Sequence, residues 1–152
     1  LVAHHEVVYG IETSERMRAI AKDKLPQVTI KDGHFLNYRL EENVQSIVST
    51  YAFHHLTDQE KFQAIQQFNE VLPYGGKVVF ADTVFINEEA KEERKKWAAE
   101  QGYDALLHDL NTEFYSTIPM FQEFFENTDF FVEYEQLNEF VWLIEAKKEK
   151  MK

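Results

Sequence analysis

Two neighbouring imidazoles stand in the run Tyr51-Ala52-Phe53-His54-His55-Leu56. Histidine is the side chain whose ordinary pKa lies nearest neutrality, so His55 or His54 can take a proton from a reacting group or face a substrate; packing and hydrogen bonding are the plainer uses. Adjacent side chains leave the backbone in different directions. The pair is therefore not expected to share one metal ion, as an i, i+4 helical pair would, and no metal site is expected. Glu12-Thr13 ends a β-branched and aromatic run, where a carboxylate can accept both hydroxyls of a ribose or serve the amino end of a following helix. Asp82, after the apolar run 77–81, can orient an amine or cap the next segment. Ser49, Thr50 and Tyr51 offer hydroxyls, but no Gly-x-Ser-x-Gly elbow surrounds them, which argues against serine hydrolase chemistry. His4 and His5 read as strand-edge or exposed residues.

The elements that must position these groups can be read from periodicity and caps. Glu6 to Ile11 reads as a buried strand. Thr13 or Ser14 caps a helix whose apolar face is Met17, Ile20, Ala21 and Leu25, and Pro26 stops it. A short strand from Gln27 to Lys31 leads into Asp32-Gly33, and Val44 to Thr50 forms a third strand. Thr57-Asp58-Gln59-Glu60 has the spacing of a capping box, with Phe62, Ile65, Phe68, Val71 and Leu72 as the buried stripe behind it. A turn at 73–76 precedes a fourth strand, Lys77 to Ala81.

Beyond it come a charged helix from Glu88 to Gln101 and a short one around Leu106, Leu107 and Leu110. A third is capped by Thr117, with Pro119 in its first turn and Met120, Phe121, Phe124 and Phe125 facing inward; the aromatic cluster Phe121, Phe124, Phe125, Phe130 and Phe131 reads as core rather than as a cofactor box. The strands Phe130 to Leu137 and Glu139 to Ala146 are joined so tightly that they must be antiparallel, and a basic tail from Lys147 is expected to fray. Alternation of strands and helices predicts an α/β fold with a parallel sheet. Ligands of such sheets bind beyond the carboxyl ends of the strands, which here collects Glu12-Thr13, His34-Phe35, 50–55 and Asp82-Thr83.

Composition narrows the classes. The 152 residues are 44% hydrophobic and 14% aromatic, enough for one domain with a substantial core. A formal charge of −11 argues against a nucleic-acid partner, and no apolar run approaches the ~18 residues of a membrane span. Zero cysteines exclude disulfides, thiolate zinc sites and Cys nucleophiles; a cytoplasmic enzyme fits. There are five glycines and no Gly-rich loop, and the chain starts at Leu1 already entering a strand, so a preceding segment is expected to be missing.

The stretches 7–17, Asp32-Gly33-His34-Phe35, 49–56 and 71–80, in this order and followed by the antiparallel pair, resemble the class I S-adenosylmethionine-dependent methyltransferases over nearly the whole chain. The likeness looks closest to small bacterial proteins of Gram-positive type carrying Tyr-Ala-Phe-His-His-Leu. It implies a Rossmann-like sheet, S-adenosyl-L-methionine as cofactor, and transfer of methyl to a small-molecule acceptor by in-line displacement. By that likeness Glu12 holds the donor's ribose, with Thr13 and Gly33 beside it. His34 and Phe35 lie against adenine, and Thr50 and Tyr51 approach the methionine part. His34 stands where many relatives carry an acid, and it can accept from the adenine amino group only in the right tautomer.

The family's first strand and Gly-x-Gly-x-Gly loop should precede Leu1, which makes residues 1–152 a single incomplete domain. Residues 84–128 would be a helical lid, with Asp82, His108 and Tyr115, and also Tyr103 and Asp109, as acceptor contacts. An acidic lid favours a neutral or cationic acceptor. Two alternatives stand beside this one. A non-catalytic methyltransferase-like protein could complete its sheet as a homodimer. An NAD-type oxidoreductase shares the acid at position 12 but not the Phe-His-His-Leu run or the closing pair.

Overall fold

Ser14 turns extended chain into helix: its Oγ accepts from the N–H of Met17 at 3.2 Å, satisfying one of the donors that a first turn leaves orphaned. The computed structural model describes residues 7–39 and 44–150 of the chain, which divides into two compact units, Leu1–Glu42 and Asn43–Lys152. In the first unit, β1 (Tyr9–Ile11) is followed by α1 (Glu15–Lys24) and by β2 (Thr29–Lys31). The strands run parallel with Tyr9 opposite Thr29 and Ile11 opposite Lys31, so α1 is the crossover that a parallel pair requires.

The expected burial of the first strand and of the α1 apolar face is not found. Val7 is 66% exposed and Met17 52%, Ile20 and Leu25 are also open, and no residue of α1 is buried. Two three-residue strands and one helix offer too little surface to enclose these side chains; Val28 alone among the described apolar residues of this unit is buried. His4 and His5, and the start of the strand expected from Glu6, lie outside the described residues.

The second unit contains β3 (Ser46–Thr50), a 3₁₀ turn (Phe53–His55), α2 (Asp58–Val71), β4 (Lys77–Thr83), α3 (Glu88–Gln101), α4 (Asp104–Thr112), α5 (Ile118–Phe125), β5 (Phe130–Gln136) and β6 (Val141–Lys148). Its sheet has the order β3-β4-β6-β5. The β3 and β4 strands are parallel from Ser46 opposite Lys77 to Thr50 opposite Ala81, while β4–β6 and β6–β5 are antiparallel. The α/β class and the closing antiparallel pair agree with the sequence reading. Phe80 of β4 is fully buried and packs its ring 4.5 Å from that of Phe53, with Phe121 of α5 6.2 Å away. Phe124, Phe125 and Phe130 are buried as well, but Phe131, expected in the core, is 60% exposed because successive side chains of β5 point to opposite faces of the sheet.

The capping box of α2 forms in both halves: Glu60 N–H donates to Thr57 Oγ1 and Thr57 N–H to Glu60 Oε1. Its buried line differs from the expected one, however. Lys61, Ala64, Ile65 and Phe68 face inward, followed by Leu72 just past the helix, and Phe62 and Val71 are 44% and 48% exposed. Lys61 takes an inward position because acceptors await its ammonium there, as shown below. The basic tail departs from expectation in the same way. Lys148 is still in β6 and buried; its Nζ donates to the carbonyls of Asn69 and Leu72, while its backbone pairs with Gly75 and Gly76. Gly75 has φ +88°, a left-handed geometry that glycine adopts without steric cost, and this lets the turn before β4 meet the end of β6.

Candidate active site

Within the second unit the chain leaves β3 through Tyr51, a bulky residue at φ +52°, whose N–H donates to Ala81 O at 2.9 Å. This uncommon left-handed conformation turns the strand end directly into the 3₁₀ turn. Phe53 anchors that turn in the core, and His54 and His55 follow. Asp82, near the end of the neighbouring β4, is 2% exposed and receives His54. The Nδ1 of His54 lies 2.7 Å from Oδ1 of Asp82, and the His54 backbone N–H donates to Oδ2 at 3.2 Å. Thr83 N–H also donates to Oδ1, at 2.7 Å. A carboxylate only accepts, so the proton between the side chains sits on Nδ1 and the Nε2 lone pair of His54 is left for other chemistry.

Adjacent side chains of a 3₁₀ turn leave the backbone about 120° apart, yet the two rings lie 4.4 Å from each other, His54 held by Asp82 and His55 by Glu113. Tyr115 packs its ring 5.0 Å from that of His54. The phenol pKa of Tyr115 is raised, first by burial and then by the charges of Asp109, Glu113 and Asp82. His55, with a largely exposed side chain, places Nδ1 2.9 Å from Oε2 of Glu113 at the end of α4. One ring nitrogen from each histidine and one oxygen of Glu113 all lie within 4.8 Å of one another.

The segment from Glu113 to Thr117 is held in place by two lysines. Lys61, 1% exposed, donates to Phe114 O and, at 2.6 Å, to Ser116 Oγ, which in turn donates to Asp58. Lys91 donates to Tyr115 O at 2.8 Å, and Phe114 N–H donates to His54 O at 2.9 Å. Burial lowers the Lys61 pKa from 10.5 to about 8, against the opposing pull of Asp58 and Asp82. The unfolded chain therefore binds a proton between pH 8 and 10.5 that the folded one has lost, and stability rises with pH across that window. The expected gain is at most about 3 kcal/mol, opposed above pH 10 by Tyr115 and Tyr134, whose raised pKa values act in the reverse sense. Urea unfolding at pH 7, 8, 9 and 10 should show this rise in the wild type and a flatter line in Lys61→Met; equal slopes would remove Lys61 as its source.

In the first unit, Glu12 follows β1 and uses Oε1 to accept from Ser14 N–H at 3.1 Å. Arg18 clamps this turn, donating through Nη1 to the carbonyls of Glu12 and Thr13 and to Asp32 Oδ1. Thr13 Oγ1 donates to Gly33 O at 2.9 Å. Gly33 packs so closely that a Cβ there would lie 2.8 Å from Cγ2 of Ile11 and 3.0 Å from Asn37 O. Glu12, Thr13, Gly33 and His34 thus belong to one tied pair of loops, with Phe35 half-buried after it. His34 accepts from Leu36 N–H at Nδ1, so a neutral ring carries its proton on Nε2 and offers a donor.

The structure therefore joins His54, His55, Asp82 and Tyr115, with Thr50 and Tyr51 leading into that turn. His108 is exposed on α4, where its carbonyl accepts from Thr112, and Tyr103 packs on Trp97. Glu113 and Lys61 escaped the sequence reading, since nothing in their spacing links them to residues 58 and 53 positions away. Two open concavities of about 400 and 300 Å³ lie on the β5–β6 strands around Glu133 and Glu145, and the histidines line neither.

A model of the family described as "Methyltransferase domain" matches residues 1–76. An uncharacterized methyltransferase of Bacillus cytotoxicus is 50% identical over 143 residues, covering 93% of this chain and 68% of that protein. One from Bacillus cereus is 49% identical with the same coverage. Among solved structures, a Pyrococcus horikoshii protein aligns with a TM-score of 0.73 at 13% identity, over 97% of this chain and 74% of that one. Human N-acetylserotonin methyltransferase in complex with SAM aligns with a TM-score of 0.67 at 14% identity, over 95% and 40%. The chain belongs to the class I S-adenosylmethionine-dependent methyltransferase family.

Proposed function

We propose that this chain transfers a methyl group from S-adenosyl-L-methionine to a small-molecule acceptor whose proton is taken by His54. The observation that carries the reading is the pairing of half-buried His54 with buried Asp82 at the carboxyl end of parallel strands β3 and β4. Asp82 is a positioning residue here: its oxygens are engaged by His54 and by backbone N–H groups, so it sets the imidazole's tautomer and does not itself reach the acceptor. Tyr115 flanks the His54 ring and offers a neutral phenol to an acceptor. His55 is the second candidate base, and His108 a contact farther along α4. Residues 84–128 act as the helical cover of the acceptor. The acidic charge supports a neutral or cationic acceptor and no nucleic-acid partner, and the cysteine-free composition suits a cytoplasmic setting. Among the described residues no helix is long and apolar enough to cross a membrane.

The donor-binding groups fit in chemical type. A carboxylate has about four acceptor sites, so the bond from Ser14 leaves Glu12 capacity for a ribose diol. In the same unit His34 offers adenine a donor at Nε2 in place of the acceptor that an acid would supply, with Thr13, Gly33 and Phe35 in the same pair of loops. When bound, S-adenosylmethionine supplies a sulfonium-activated methyl open to in-line displacement; what the protein must add is alignment, exclusion of water and removal of the acceptor's proton.

Calorimetric titration of S-adenosylhomocysteine into the chain tests the reading. Saturable binding is expected, weakened in Glu12→Ala by about 1–3 kcal/mol, a factor of roughly 5 to 150, through loss of charge-assisted hydrogen bonds. Unchanged affinity in the variant would take Glu12 out of the site. Binding of NADH in place of the methyl donor's product would favour an oxidoreductase, and a stable homodimer that binds neither would favour the non-catalytic alternative.

A further inference from the structure

The side chains of His55 and Glu113 converge across 58 residues of sequence, and His54 joins them with one donor atom each inside a 4.8 Å span. We propose that His54, His55 and Glu113 form a binding site for a divalent first-row transition ion, of which Zn²⁺ is the probe of choice. Two imidazoles and a carboxylate suit such ions, whereas Mg²⁺ and Ca²⁺ favour all-oxygen sets. The set is held in advance of any ion. Phe53 anchors the turn in the core, Phe114 N–H ties the backbone of His54 to the residue after Glu113, and the N–H of Glu113 is bound to Asp109 O. Asp82 adds the feature most characteristic of ligating histidines: it occupies Nδ1 of His54, which orients the ring and leaves Nε2 as the nitrogen able to ligate. An ordinary surface ion pair between His55 and Glu113 would need neither His54 nor this buried carboxylate. Three protein ligands leave a coordination position open to water or to an oxygen of an acceptor. A ligated Nε2 cannot also accept a proton, so ion binding and the base role of His54 exclude one another at that atom.

The test is calorimetric titration of Zn²⁺ into the purified chain near pH 7, repeated with Co²⁺ to read the visible absorption of the bound ion. Uptake of one ion per chain at micromolar or tighter affinity is expected. His55→Ala and Glu113→Gln should each weaken it at least tenfold, and Asp82→Asn by about 10- to 100-fold. A His4→Ala/His5→Ala variant should bind as the wild type does. His55 is largely exposed and the Glu113 side chain 28% exposed, so their variants should keep the wild-type thermal midpoint without metal and lose the upward shift that Zn²⁺ produces. No saturable uptake, or uptake that survives loss of both His55 and Glu113, would overturn the proposal. Titrating S-adenosylhomocysteine into the same samples keeps this result separate from the methyltransferase reading, since either binding event can be present without the other.

Discussion

His54→Asn is expected to lower the rate of S-adenosylhomocysteine formation by about 10²- to 10⁴-fold, the usual contribution of a positioned general base, with the affinity for S-adenosylhomocysteine changed less than twofold. Asparagine is the informative substitution because its amide N–H₂ can stand where Nδ1–H stands and still donate to Asp82 Oδ1. The buried carboxylate then keeps a partner, and the loss isolates the Nε2 lone pair. Alanine would leave Asp82, 2% exposed, facing a void, and would confuse catalysis with folding. Turnover can be followed by product release from labelled donor in the presence of a small-molecule extract, which does not require the acceptor to be named. A wild-type rate in His54→Asn would eliminate His54 as the base and transfer the question to His55.

Phe80→Ala should cost about 3–5 kcal/mol of stability, the largest effect expected of a single core truncation here. Phe80 has 0% exposure and stands at the centre of an aromatic group, with Phe53 at 4.5 Å, Phe121 at 6.2 Å and Phe68 at 6.4 Å. These rings come from the 3₁₀ turn, α5 and α2, so none can close the cavity without moving an element. For a chain of this size the thermal midpoint should fall by roughly 6–20 °C. Phe131, on the same sheet but 60% exposed, is the control: its truncation should change stability by no more than about 0.5 kcal/mol. A loss below 1 kcal/mol at Phe80 would mean that the core is not packed as described. The effect should also reach the site, because Phe53 both packs on Phe80 and immediately precedes His54.

How much of this was legible in the sequence depended on how local the cause is. Caps and turns are short-range: Ser14, Thr57 with Glu60, and Thr117 cap helices through side-chain bonds to residues three positions away. The inward phenylalanines of α5 and the antiparallel β5–β6 pair were readable for the same reason. The buried face of α2 was not. Its apolar residues allow a stripe through Phe62 and Val71, and only the acceptors Phe114 O and Ser116 Oγ, brought in from 53 and 55 residues away, turn Lys61 inward instead. The start of the basic tail is ordered for the same reason: Lys148 finds acceptors on Asn69 and Leu72 that its own neighbours cannot announce.

The candidate site divides along the same line. Residue types at strand ends identified Glu12, His34, His54, His55 and Asp82 as groups able to do chemistry, and the resemblance carried by the stretches 7–17, 32–35, 49–56 and 71–80 pointed to the methyltransferase family that the comparisons show. What each group can do was decided by tertiary structure. The tautomer of His54 depends on Asp82, which is 28 residues away, and that of His34 on a turn closed by Leu36. The meeting of His54, His55 and Glu113 required a 3₁₀ turn and the end of α4 to arrive together. Sequence alone determines which side chains carry lone pairs and protons, because that is their covalent chemistry. Only the folded chain determines which of those lone pairs remain available, because each hydrogen bond made inside the protein uses one.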